Sequence, residues 1–277
     1  MKKFTLDVLI QIIGLGSASG LIYSNDSLLI IGDSSGYLYD YSISKADLKK
    51  HELVENATEN IAKSEKADLE AMSVSGEDLY IFGSGSGRKR NVAIEVDLKT
   101  KDTIAKTDLK HLYSSMREVA NIRRKEFNIE GAFYNGDYLY LFNRGSGAGN
   151  RNVIFTVNRK NLIKDFTIQY KDIQLPQING FRSGFSDAIL VDKKIYFIAT
   201  AENTSSNTAD GRILGTLVGS IDLSTMTIDF TEKISDNQKF EGITLYSKGD
   251  DKIEFLLCED NDTEELKSNI YKLTLSL

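Results

Sequence analysis

The sequence predicts an all-β protein, a five-bladed β-propeller with four-stranded antiparallel blades. A short phrase recurs down the chain, each copy opens a run of short apolar strands, and polar turns separate those strands. The phrase returns every 51 to 60 residues, at Ser19-Gly20-Leu21, Glu70-Ala71-Met72, Glu130-Gly131-Ala132, Asp187-Ala188-Ile189 and Glu241-Gly242-Ile243. Four strands in a period of this length are typical of propeller blades.

The strands of each blade follow from the apolar runs between the turns. Second strands are predicted at Leu28–Ile31, Leu79–Phe82, Tyr138–Phe142, Ile195–Ala199 and Ile253–Leu257. Third strands are predicted at Tyr37–Ile43, Asn91–Leu98, Asn152–Asn158, Thr216–Leu223 and Asn269–Leu275. Fourth strands are predicted at Glu52–Asn56, Thr103–Thr107, Phe166–Tyr170 and Thr227–Thr231, so the fifth repeat lacks one.

The first residues of the sequence are predicted to supply the missing strand. Apolar and polar residues alternate over Phe4–Ile12, and a period of two is typical of a half-buried strand. Met1-Lys2-Lys3 and Ser17-Ala18-Ser19 imitate the ends of a signal peptide, but Asp7 and Gln11 interrupt the apolar core between them. We therefore predict a retained strand that completes the last blade and covers an exposed sheet edge.

A single domain over residues 1–277 accounts for the chain, because five blades of about 55 residues use its whole length. One helix is predicted at Leu109–Glu126, where Leu112, Met116, Val119 and Ile122 recur at helical spacing. Since it lies between the second and third blades, we expect it to cover the core rather than to bind a partner.

Composition excludes several kinds of function. The chain has one cysteine and two histidines, which excludes a disulfide framework and a cysteine-based zinc cluster. The net charge of −6 argues against nucleic acid as a partner. No run of about 18 apolar residues is present, so no membrane span is predicted. We predict a cytoplasmic monomer, or an exported protein if the first residues do act as a signal.

Candidate functional residues come from the repeated phrase. The first strand of a propeller blade lines the central channel, so the acids that open these strands should form a ring at one mouth of the channel. The predicted ring consists of Glu70, Glu130, Asp187 and Glu241, with Ser19 in the fifth position. Carboxylates this close together need a cation, arginine partners or shared protons.

Arginines recur in the loops that reach the same mouth. Arg90, Arg151 and Arg212 are each 61 residues apart, and guanidinium groups can pair with carboxylates or bind an anionic ligand. Three interpretations of the ring stay open. It is a structural network that locks the blades together, a site for calcium or another divalent cation, or a catalytic set of carboxylates.

The phrases Glu130-Gly131-Ala132 and Glu241-Gly242-Ile243, with Phe185-Ser186-Asp187-Ala188 between them, resemble an uncharacterised bacterial family of phytase-like β-propellers. The resemblance implies a propeller with a metal or phosphoester site at the channel mouth. It implies calcium held by Glu70, Glu130, Asp187 and Glu241, with the three arginines binding phosphate. Phytases of this kind have six blades, which makes six the alternative blade number.

These observations predict a ligand-binding or scaffolding propeller with an acidic, cation-binding mouth that takes a small-molecule or anionic ligand. The alternative is a metal-dependent hydrolase of phosphoesters, lactones or glycosides. No nucleophile is recognisable, because no histidine lies near Cys258 in the sequence.

Overall fold

The computed structural model describes residues 3–145, 151–158, 162–203, 211–261 and 265–277. Their strands form five antiparallel sheets, and the innermost strands of successive sheets contact one another in a closed ring. The predicted five-bladed propeller is confirmed.

The blades follow one another in chain order. Blade 1 contains β2 (Gly20–Ser24), β3 (Ser27–Ile31), β4 (Tyr37–Ser42) and β5 (Asp47–Glu52). Blade 2 contains β6 (Leu69–Ser75), β7 (Asp78–Gly83), β8 (Val92–Asp97) and β9 (Thr103–Asp108). Blade 3 contains β10 (Ile129–Asn135), β11 (Tyr138–Asn143), β12 (Asn152–Asn158) and β13 (Ile168–Ile173).

The last two blades depart slightly from this plan. Blade 4 adds a two-residue strand and contains β14 (Gln177–Ile178), β15 (Phe181–Val191), β16 (Lys194–Asn203), β17 (Arg212–Asp222) and β18 (Thr227–Ser235). Blade 5 contains β19 (Phe240–Lys248), β20 (Lys252–Glu259), β21 (Lys267–Ser276) and, as its outer strand, β1 (Phe4–Ile13).

The closure of blade 5 by the first strand is confirmed. β1 pairs antiparallel with β21 along its whole length, with a bulge at Leu9. The bulge breaks the predicted alternation. Leu6 before the bulge and Ile12 after it both pack against the core, whereas Val8 is 57% exposed.

The predicted outer strand of blade 1, Glu52–Asn56, is wrong. The outer strand is β5, which ends at Glu52 and begins at Asp47, directly opposite Ser42 of β4. The chain reverses between these two strands in a tight turn that places Ala46 at a positive φ of 50°. Because this turn is so short, the fourth strand begins earlier than the polar sequence suggests.

The predicted helix is shorter than its apolar pattern. Helix α1 (Lys110–Ala120) ends at Asn121, which adopts the left-handed conformation, and a single 3-10 turn follows at Arg124–Glu126. Its buried face contributes Leu112 and Tyr113 to the core between blades 2 and 3, so the predicted covering role is confirmed. Among the residues that the structure describes, no helix combines the length and the apolar content needed to cross a bilayer.

The inner strands approach one another closely near their starts. A Cβ atom built on Gly131 would lie 3.1 Å from the Cα of Asp187, and one on Gly242 would lie 2.9 Å from the Cα of Gly20. Real Cβ atoms essentially never lie as close as the second distance and rarely as close as the first, so the glycines of the repeated phrase allow neighbouring blades to pack.

We expect the substitution Gly242→Ala to lower the free energy of unfolding by about 1–3 kcal/mol, the usual cost of overpacking. The added methyl would meet Cys258 Sγ at 2.6 Å and Leu21 Cδ2 at 2.7 Å. Gly249→Ala is the matched control, because its nearest neighbouring atom would be 3.9 Å away. Urea denaturation compares the two variants, and equal midpoints would contradict the close approach of blades 5 and 1.

Candidate functional site

The candidate site lies at the channel mouth, defined as the end where inner strands begin and second strands end. Charged side chains converge there from all five blades. Eight are acidic and four are basic: Asp33, Asp68, Glu70, Glu130, Asp187, Glu202, Glu241 and Asp260, with Lys66, Arg90, Arg144 and Lys239. The excess of acids makes the mouth electronegative.

A β-bulge at the start of the inner strand presents the ring acids. The extra, unpaired residue of the bulge is Glu70 in β6, Glu130 in β10 and Glu241 in β19. In β15 the bulged residue is Ser186, so Asp187 lies one position further along. A bulge turns its side chain away from the regular pleat, which explains how these carboxyl groups reach the mouth.

Asp187 therefore differs from the other predicted ring acids. In the sheet register it takes the position of the glycine that follows the acid in blades 3 and 5. Asp187 pairs with Ile198, as Gly131 pairs with Phe142 and Gly242 pairs with Cys258. Its carboxylate accepts hydrogen bonds from the N–H of Ala188 at 2.7 Å and the N–H of Ile243 in blade 5 at 2.9 Å. Burial raises the pKa of Asp187, and these two donors oppose the shift. The contacts fasten blade 4 to blade 5.

One group of charges, the Lys66 cluster, joins blades 1 and 2. It consists of Asp33, Lys66, Asp68, Glu70 and Arg90. The ammonium of Lys66 contacts Asp33 and lies 2.9 Å from Asp68 Oδ1, while Arg90 Nη1 donates to Asp68 Oδ2 at 2.6 Å. Carboxylate oxygens of all three acids lie within 4.8 Å of one another.

Glu70 differs from the two aspartates of the Lys66 cluster, which both pair with a cationic side chain. Only 9% of its surface is exposed, yet its carboxylate makes no hydrogen bond or ion pair within the part of the chain that the structure describes. Burial raises the pKa of Glu70 well above its ordinary value, and the charges of Asp68, Glu130, Asp33 and Glu241 raise it further. Four neighbouring carboxylates thus disfavour the ionised form of Glu70, while Lys66 and Arg90 pair with the two aspartates.

The second group, the Arg144 cluster, joins blades 3, 4 and 5. It consists of Glu130, Arg144, Glu202, Lys239, Glu241 and Asp260. Arg144 contacts Glu202, and its Nη1 lies 3.8 Å from Glu130 and 3.9 Å from Glu241. Lys239 lies 2.8 Å from Glu241 and 2.7 Å from Asp260. Each acid in this cluster therefore has a cationic neighbour.

The protonation of the ring glutamates follows from this arrangement. Burial raises the pKa of Glu130 to about 7, although Arg144 and Lys239 oppose the shift. Burial also raises the pKa of Glu241, again against Lys239 and Arg144. Asn128 donates a further side-chain hydrogen bond to Glu130. Near neutral pH the mouth can therefore take up or release protons.

The three equally spaced arginines do not meet. Arg90 belongs to the Lys66 cluster, but Arg151 pairs with Asp172 on the outer strand β13, at 2.8 Å through both Nε and Nη2. Arg212 begins β17 and is exposed. The basic residues that do join Arg90 at the mouth are Lys66, Arg144 and Lys239.

Sequence reasoning missed Lys66 and Lys239 as members of the site. Each stands in the polar segment shortly before an inner strand, four residues before Glu70 and two before Glu241. A basic residue just before the repeated acid in two blades was the available signal. It was weak, because the spacing differs between the two blades.

Comparison with solved structures supports the fold. The glutaminyl cyclase of Myxococcus xanthus is 11% identical, with 98% of this chain and 97% of that chain covered and a TM-score of 0.58. The major allergen Mala s 1 of Malassezia sympodialis is 12% identical, with 96% of each chain covered and a TM-score of 0.57. A luciferin-regenerating enzyme is 8% identical, with 99% and 97% covered and a TM-score of 0.52. At such identities the likeness concerns the fold alone.

The sequence matches no curated protein. It does match a family model over residues 14–275, which is nearly all of the propeller. The chain therefore belongs to DUF6929, a family of unknown function.

Proposed function

We propose that this protein is a ligand-binding propeller whose mouth takes a divalent cation between Asp33, Asp68 and Glu70. One observation carries the proposal. Nine-tenths of the surface of Glu70 is buried, its carboxylate lacks a hydrogen-bond or ion-pair partner among the described residues although its oxygens are not fully enclosed, and one of these oxygens lies within 4.8 Å of oxygens of both aspartates. A largely buried charge without a partner is unfavourable, so a cation that binds there is favoured.

The chemistry of these ligands suits calcium or another hard cation. Calcium takes carboxylate oxygens at about 2.4 Å, so two oxygens on one ion lie no more than about 4.8 Å apart. The oxygens of the Lys66 cluster meet this condition. Three carboxylates leave coordination positions unfilled, and a small anionic molecule could share the ion there. The net charge of −6 disfavours nucleic acid, whose many phosphates it repels, whereas a small anion carries few charges and could be held by the ion.

The Arg144 cluster favours a second candidate, a metal-dependent hydrolase. Glu130, with its pKa raised to about 7, suits general acid–base catalysis near neutral pH, and Glu241 contacts the same guanidinium. Phosphomonoesters, lactones and glycosides are the substrates to test, including phytate in view of the phytase-like phrases. Turnover that requires both calcium and Glu130 would establish this candidate, and no turnover by the wild type on any of them would remove it.

The cation proposal is tested by thermal melting with and without calcium. A ligand that binds only the folded state at 100 times its Kd raises stability by about 2.7 kcal/mol. We expect a clear rise in Tm for the wild type and none for Glu70→Gln, which keeps the shape of the side chain without its charge. Glu65→Gln is the matched control, because Glu65 is an exposed acid in the loop that precedes β6, where it pairs with Lys89. Equal calcium responses in wild type and Glu70→Gln would refute the site.

The same variants test the electrostatics without calcium. A carboxyl group whose pKa is raised by folding favours the folded state most when protonated, below its unfolded pKa of about 4.3, and this contribution is lost as the pH rises through the folded pKa. The contribution of Glu70 to the stability of the metal-free wild type should therefore fall as the pH rises from about 4. Glu70→Gln should lose less and have the higher Tm at pH 8, by about 2 °C or more. A lower Tm for Glu70→Gln at pH 8 would contradict the absence of a partner.

A further inference from the structure

Lys66 lies inside the candidate cation site rather than beside it. Its ammonium contacts Asp33 and Asp68, the two aspartates whose oxygens lie close to Glu70. Resting on the proposed function, we propose that Lys66 is an internal counter-ion that competes with the divalent cation and must leave for the cation to bind. Lys66 thereby sets the cation concentration at which the site fills.

The contacts of Lys66 place it in competition for the same atoms. It occupies an Asp68 oxygen at 2.9 Å while Arg90 takes the other oxygen at 2.6 Å. Asp33, which is less buried, is also bound by Lys66. A divalent ion cannot use both aspartates until the ammonium withdraws, because ion and ammonium would occupy the same space at like charge.

The charge balance also favours exchange. Lys66 and Arg90 supply two positive charges against three carboxyl groups, so Glu70 has no cation of its own once it is ionised. A divalent ion in place of Lys66 would balance all three acids together with Arg90. Exchange thus pairs the charge of Glu70, and it costs the ion pairs of one lysine and part of the hydration of the ion, while the lysine is rehydrated when it leaves.

The backbone around Lys66 can stay in place during this exchange. The N–H of Lys66 donates to the carbonyl of Ala62 at 3.1 Å, and Ile61 donates to Ser34 of blade 1 at 2.7 Å. Arg90 Nη2 holds the carbonyl of Lys63 at 3.1 Å. Only the four-carbon side chain has to rotate, since the loop itself is fastened at these points.

A purely structural role for Lys66, as a clamp between blades 1 and 2, makes a different prediction. Removing a clamp would lower stability and leave cation affinity unchanged or reduced. Removing a competitor raises affinity for the cation. The direction of the affinity change therefore separates the two roles.

The test uses terbium luminescence excited through tyrosine, since the chain has 13 tyrosines and no tryptophan. Calcium displaces the bound terbium in competition, which gives calcium affinity. We expect Lys66→Met to bind both ions at least about tenfold more tightly than the wild type, a change of about 1.4 kcal/mol. Lys66→Arg, which keeps the charge, should bind no more tightly than the wild type. Lys89→Met removes an exposed lysine of the neighbouring loop and should bind as the wild type does.

The outcomes separate the inference from the proposed function. Equal affinities for wild type and Lys66→Met overturn the competitor role and leave the proposed cation site standing. Binding by Lys66→Met alone supports the competitor role and overturns cation binding by the native protein. Binding by neither overturns both.

A second measurement needs no variant, in case Lys66→Met does not fold. Acetylation by an amine-specific reagent, followed by peptide mass spectrometry, reports the accessibility of each lysine. Lys66 should react slowly in the metal-free protein, where its side chain is 9% exposed, and faster with saturating calcium. Lys89 should react equally in both conditions. No change at Lys66 while calcium raises the Tm would contradict its displacement.

Discussion

Removal of residues 1–13 is expected to abolish cooperative folding of the propeller. These residues include all of β1, the outer strand of blade 5, which pairs with β21 along its length. Without β1 the edge of β21 has unpaired N–H and C=O groups, and Ile12 no longer packs against the core of blades 5 and 1. Circular dichroism during heating, with light scattering for aggregation, measures the outcome.

Point variants of the full chain provide the control for this truncation. Ile12→Asp places a charge at a position that is 1% exposed, and it should destabilise severely. Val8→Asp places the same charge on the same strand at a position that is 57% exposed, and it should change stability by less than about 0.5 kcal/mol. A truncated protein that melts like the wild type would show that β1 does not close the propeller.

Arg144→Met is expected to lower the free energy of unfolding by about 3–5 kcal/mol at pH 8, the usual cost of removing one partner of a buried ion pair. Arg144 is the positive charge that Glu130, Glu202 and Glu241 share. At lower pH the loss should shrink, because Glu130, whose pKa is about 7, accepts a proton and no longer needs the guanidinium. Urea denaturation at pH 8 and pH 5 measures both effects.

Arg151→Met is the matched control for Arg144→Met. Arg151 makes a two-pronged pair with Asp172, but both side chains are more than a third exposed, so its loss should cost about 1 kcal/mol or less. Equal losses of stability for the two variants at pH 8 would show that Arg144 does not belong to a buried ion-pair network.

Much of the fold follows from local sequence. The number of repeated phrases predicted the number of blades. The alternation over Phe4–Ile12 predicted a strand, and the missing strand of the last repeat predicted where it pairs. Both signals depend on periodicity along the chain, which sequence records directly. The errors lie where a turn sets the boundary of an element. The turn at Ala46, with its positive φ, lets β5 begin earlier than predicted, and the left-handed conformation of Asn121 ends α1 earlier than predicted.

The candidate site could be predicted less completely, for two physical reasons. A bulge adds a residue without disturbing the repeat, so Asp187 aligns with the ring acids in sequence although Ser186 takes their place in the ladder. Which charged residues pair between blades depends on the conformation of the loops, and the spacing of residues along the sequence does not reveal that conformation. Arg90 and Arg151 both precede an Asn-Val pair, yet the first contacts Asp68 at the mouth and the second contacts Asp172 on an outer strand.

The proposed function requires a divalent cation to bind between Asp33, Asp68 and Glu70. The most direct measurement is anomalous X-ray diffraction from crystals of the full chain in millimolar Mn²⁺, an ion that carboxylates also bind. We predict an anomalous peak within about 2.5 Å of carboxylate oxygens of Asp68 and Glu70, with the ammonium of Lys66 withdrawn from both aspartates. Crystals that show no peak there, with Lys66 still between Asp33 and Asp68, would contradict the proposed function.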